Sequence, residues 1–161
     1  MNAKKISLAA AVLALAAAGS ANAQTANHAV TYQVSAINQI AVTGSPSLTV
    51  STATAGSAAN AVTDATSTWA VTTNAANKKL TAAINSDMPT GVTLEVNAAA
   101  PSGATSSSYQ TLGTSAVDVV TGIATVNASG LLLTYRLSAT LAAGVVSSAS
   151  KTVTYTLVTG P

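Results

Sequence analysis

Short runs in which apolar and hydroxyl-bearing side chains alternate recur along this chain, and no other feature limits its fold as strongly. Successive side chains of a strand point to opposite faces, so each such run reads as a strand with one buried and one wet face. From 30 to 43, Val30, Tyr32, Val34, Ala36, Ile40 and Val42 hold one parity, against Thr31, Gln33, Ser35 and Gln39. Asn38 interrupts the apolar row, and a kink is expected there. The pattern returns at Trp69 and Val71, at Leu80 to Ile84, and at Val92 to Ala98. It returns again at Val117 and Val119, at Leu133 to Leu141, and at Val153 to Leu157, with a short strand expected over Leu48–Ser51. Turn residues punctuate these runs at Asn74–Lys78, Asn85–Gly91 and Asn127–Gly130. Thr52–Thr66 and Pro101–Ser115 read as long, lightly packed surface connections. The prediction is an all-β, immunoglobulin-like antiparallel two-sheet β-sandwich of about eight or nine strands.

The first 23 residues read differently. Lys4 and Lys5 precede an apolar stretch from Ile6 to Ala18, then Gly19 and the small-x-small site Ala21-Asn22-Ala23. That is the pattern of a removable export signal. The stretch is too short for a bilayer span, which needs about 20 residues. Residues 1–23 are therefore assigned to a Sec-type signal peptide, and 24–161 to a single β-sandwich domain with 24–43 as an exchangeable N-terminal strand. The expected location is the cell surface or the extracellular space, with the periplasm as the other exported compartment. No later run reaches spanning length, so no integral membrane helix is expected.

Composition narrows the function. Only 6% of residues are charged, and there is no cysteine. Beyond the signal, Lys78, Lys79, Arg136 and Lys151 balance Asp64, Asp87, Glu95 and Asp118. A nucleic-acid binder needs a basic surface, which this chain lacks. Cysteine chemistry and Cys-ligated zinc are excluded outright. His28 is the only histidine and has no companion ligands in sequence, so no metal site or cofactor is expected. The four acids are scattered, and no nucleophile–base–orienter set emerges. The chain reads as non-enzymatic, with a small secreted hydrolase as the weaker alternative. Trp69 and Tyr109 are candidate sugar-stacking residues for a second alternative, a carbohydrate-binding module using the 52–66 and 101–115 loops. Trp69 shares parity with Val71, which favours a core role.

Two features point toward self-association. VTYQVSA at 30–36 matches LTYRLSA at 133–139 almost position for position, and VTYTLVT at 153–159 shares its first three residues. The first and last strands are thus near-equivalent pieces, able to sit beside the same neighbour. The near-absence of charge removes repulsion between copies, and with it a common guard of exposed sheet edges. In its export signal, its alternating segment at 30–43 and its neutral Thr/Ala-rich strands, the chain resembles exported bacterial sandwich subunits of the pilin or fimbrial type. It lacks the Cys pair common in chaperone–usher pilins. The resemblance implies a homopolymer in which Val30, Tyr32, Val34 and Ala36 of one copy fill apolar slots of the next, with Ile40 and Val42 continuing the row. The alternative for the same segment is an ordinary first strand paired within its own chain.

Overall fold

The computed structural model describes residues 23–160. The expected export signal lies outside the described residues, apart from Ala23. The chain divides into two units, residues 1–33 and 34–161. In the first, 23–33 is exposed chain without regular secondary structure. The second contains β1 (Asn38–Thr43), β2 (Val62–Thr73), β3 (Lys78–Ile84), β4 (Val92–Ala98), β5 (Thr105–Ser106), β6 (Gln110–Thr111), β7 (Val117–Ile123), β8 (Val126–Ala139) and β9 (Val153–Thr159). They form two antiparallel sheets, ordered β1-β2-β8-β4-β6 and β5-β7-β3-β9. The alternation thus resolves into the expected antiparallel two-sheet sandwich.

The core is the inner row of each sheet. Trp69 and Val71 on β2, Val96 and Ala98 on β4, and Leu133 and Tyr135 on β8 meet Leu80, Ala82 and Ile84 on β3 and Val119, Val120 and Ile123 on β7. Each fully buried Leu, Ile or Val contributes about 1.5–3 kcal/mol. Charge contributes little, so packing and the ladders carry the fold.

Several local expectations are corrected. Asn127–Gly130 is not a turn but the N-terminal part of β8. Opposite it, Trp69 pairs with Leu131 and Val71 with Ala128, so β8 carries one extra residue there. Gly130 takes φ +66° and absorbs that residue as a bulge, which needs the same residue types as a turn. On β7, register shifts bury both Val119 and Val120, where strict alternation would bury only one of two neighbours. Leu48–Ser51 is not a strand. Leu48 still packs against the core, so the apolar pattern marked burial without pairing.

The two long connections are also shorter and tighter than expected. β2 begins at Val62, because Val62 and Asp64 already pair with Leu137 and Tyr135. Within 101–115 lie β5 and β6, and Leu112 is 3% exposed, its N–H donating to Leu94 O at 2.9 Å. Gly44 crosses over β2 at φ +109°, where a Cβ would come within 2.6 Å of Ser67 Oγ. That buried hydroxyl has no hydrogen-bond partner among the described residues.

Candidate functional site

The alternating segment predicted over 30–43 is split in two by the fold. Its second half is β1, paired antiparallel with β2 from Asn38↔Thr73 to Thr43↔Thr68. Asn38, where the kink is expected, is the first residue of the strand, and its Oδ1 accepts from Thr73 Oγ1 at 2.8 Å. Ile40 packs against the core, while Val42 stays 44% exposed. The junction is held by Asn74, in the turn after β2. Its Oδ1 accepts from Ile37 N at 2.8 Å and its Nδ2 donates to Ser35 O at 2.9 Å.

The first half has no strand partner among the described residues. Val30, Tyr32 and Val34 are 73%, 90% and 80% exposed, and Ala36 is exposed as well. Three large apolar side chains on one parity, all in water, are an unsatisfied face rather than scattered surface residues.

A second unsatisfied feature lies at the last strand. Among the described residues β9 pairs with β3 alone and forms the edge of its sheet. Asn85 N donates to Thr152 O at 3.1 Å and Gly160 N to Asn77 O at 2.7 Å, so the even-numbered residues face β3. In an antiparallel ladder the alternate residues then turn their N–H and C=O groups outward: Val153, Tyr155, Leu157 and Thr159. No charged residue and no proline lies between Val153 and Thr159, so neither of these guards protects the edge.

Beside β9 runs a groove of about 670 Å³, lined among others by Ile40, Val42, Leu48, Met88, Val153 and Tyr155. A second hollow of about 620 Å³ shares Leu48, Met88 and Lys151 with it and reaches Leu141 and Val146. In the groove the Tyr135 and Tyr155 hydroxyls meet at 2.7 Å, joining β8 of one sheet to β9 of the other. Burial pushes both phenols above their ordinary pKa. Lys151, just before β9, donates to Ser86 Oγ at 2.7 Å and Asp87 O at 2.8 Å, fixing the start of the strand.

The other sequence candidates are placed as follows. Trp69 is 2% exposed and its Nε1–H donates to Ala99 O at 3.0 Å, so it offers no ring face to a sugar. Tyr109 is half-buried, with the Arg136 guanidinium carbon 4.1 Å from its ring centroid. That face is already covered. Arg136 also holds Glu95 in a bidentate pair at 2.7 and 3.0 Å across β8 and β4. Asp118 pairs with Lys79 at 3.0 Å. Asp64 accepts from Thr66 Oγ1, Thr66 N and Ser47 N, which draw its carboxyl below the usual range. These three carboxylates have separate partners, and Asp87 is exposed. His28 is exposed, and no cluster of three His, Cys, Asp or Glu is present among the described residues. No described helix is long and apolar enough to cross a membrane.

The bonded roles of Asn74, Glu95, Arg136 and the Tyr135–Tyr155 pair were not legible beforehand. Each joins residues far apart in sequence, and only the register Glu95↔Arg136 would have announced any of them. No family model, curated protein or solved structure matches the chain.

Proposed function

We propose that this is a non-catalytic, exported structural protein, a subunit that associates with copies of itself into a cell-surface or extracellular filament through its N-terminal segment. One observation carries the reading: the strand-patterned stretch Val30 to Val34 is exposed and has no strand partner among the described residues. Extended chain of this kind adds to a sheet edge through main-chain hydrogen bonds, while alternate side chains fill apolar positions. The absence of guarding charges supports association over a solitary state. Trp69 is buried and one face of the Tyr109 ring is taken by Arg136, so the carbohydrate-module reading gains little support from them.

Electron microscopy and sedimentation of residues 24–161, against a variant lacking 24–34, test this. The full chain forms filaments or ordered oligomers; the shortened chain stays monomeric and folded. Equal assembly by both, or single particles of the full chain at high concentration, overturns the reading.

A further inference from the structure

We infer that the outer edge of β9 in a second copy is the surface that receives the N-terminal segment. The segment lies antiparallel to it, with Tyr32 beside Tyr155. This rests on the self-association reading and names the face that reading leaves open.

Two long strands end the sheets, β1 and β9, and they are not equivalent. β1 offers outward main-chain groups only at Asn38, Ile40 and Val42, because Ile37 already exchanges hydrogen bonds with Asn74. Its apolar contribution is a single packed side chain, Ile40. β9 offers outward groups at Val153, Tyr155, Leu157 and Thr159, and the first three of these side chains all pack against the core. An added strand would therefore meet a continuous apolar row on β9, and only one such residue on β1.

The segment's own tether selects the register. Asn74 grips Ser35 O and Ile37 N of its own chain, so the stretch free to pair with another copy ends at Val34. Its apolar residues are Val30, Tyr32 and Val34; those of β9 are Val153, Tyr155 and Leu157. Antiparallel pairing of three on three sets Val30 against Leu157, Tyr32 against Tyr155 and Val34 against Val153. Antiparallel pairs are also the more stable kind and the only kind among the described strands. Residues opposite one another share a face, so all three pairs would lie on the core side of β9, where Val153 and Tyr155 line the groove, with Thr31 and Gln33 toward water.

Donor and acceptor are different surfaces of one chain, so each copy that gives its segment still has its own edge to offer. Such a heterologous contact propagates into an open polymer unless its rotation closes a ring.

The register makes a covalent test available. Gln33 and Thr154 would form a non-hydrogen-bonded pair, whose Cα atoms lie about 4.5 Å apart, within disulfide range. The chain has no cysteine, so every cross-link is introduced. Full chains carrying Gln33→Cys are mixed under oxidising conditions with chains carrying Thr154→Cys, Thr156→Cys or Gln39→Cys, the last on β1. Linked peptides are identified by mass. The Thr154→Cys mixture gives several-fold more heterologous dimer than the other two. Preferential linkage to Gln39→Cys, or none to either β9 position while assembly still needs residues 24–34, overturns the acceptor and leaves the self-association reading standing. Assembly that survives loss of 24–34 overturns both.

Discussion

Residues 30–36 and 133–139 spell nearly the same strand, VTYQVSA and LTYRLSA, yet the fold treats them oppositely. Tyr135 is 5% exposed, bonded to Tyr155, and flanked by β2 and β4. Tyr32 is 90% exposed on a stretch with no strand partner among the described residues. The comparison teaches that alternation specifies a face able to be buried, and says nothing about whether a partner is present to bury it. A third relative, VTYTLVT in β9, stands between them, with one neighbour and one open edge.

The largest break in that comparison comes from the paired tyrosines. Tyr135→Ala removes a buried ring and leaves Tyr155 without its hydroxyl partner, so unfolding stability falls by about 3–5 kcal/mol. Tyr32→Ala at the equivalent position of the segment changes monomer stability by less than about 0.5 kcal/mol. Urea titration of the two variants, in the shortened and full chains respectively, separates folding from assembly. A large loss in the Tyr32 variant that does not depend on protein concentration would mean the segment is paired within its own chain.

Alkali gives an intermediate effect. Both phenols of the Tyr135–Tyr155 pair titrate above the ordinary 10.0, Tyr155 chiefly through burial and then through its bond to Tyr135. The unfolded chain therefore loses these protons first. The pair's contribution is intact below pH 10.0 and declines as pH climbs toward the raised values. Urea midpoints should drop above that pH. Tyr155→Phe should cost about 1–3 kcal/mol at neutral pH by orphaning the Tyr135 hydroxyl. It should also flatten the alkaline decline.

The smallest effect is expected at Asp64, which holds the 44–51 stretch, outside either sheet among the described residues, against β2. Its carboxyl lies below 3.8, first through the Thr66 hydroxyl, then through the Thr66 and Ser47 amides. Its contribution is present above that value and fades as pH falls through the lowered one. The Ser47 amide should lose protection, measured against its intrinsic exchange rate, as pH falls through the lowered value, and at neutral pH in Asp64→Asn, with the global midpoint nearly unmoved. A global shift would make 44–51 part of the cooperative core.

Much of the sandwich was legible from local chemistry. Val92 to Ala98 alternates without interruption and is β4 to the residue, and the turn expected over Asn74–Lys78 is found at 74–77, with Lys78 opening β3. Failures fell where one residue type serves two ends. Asn127–Gly130 has turn chemistry, but Gly130 uses it to absorb a bulge inside β8. Leu48 carries a strand's apolarity and finds burial without a ladder. Of the candidate site, the apolar row at Val30, Tyr32 and Val34 could be read from spacing. The open edge of β9 could not, because VTYTLVT looks the same with one neighbour or two.

By itself the sequence determined which side chains share a face wherever alternation runs unbroken, and how little charge the surface carries. Both follow from the two-residue repeat of the extended backbone and from composition. Only the tertiary structure decided which of three near-identical stretches is enclosed, which is an edge and which is bare. Having a neighbour depends on register and topology across the whole chain, and seven residues do not encode that.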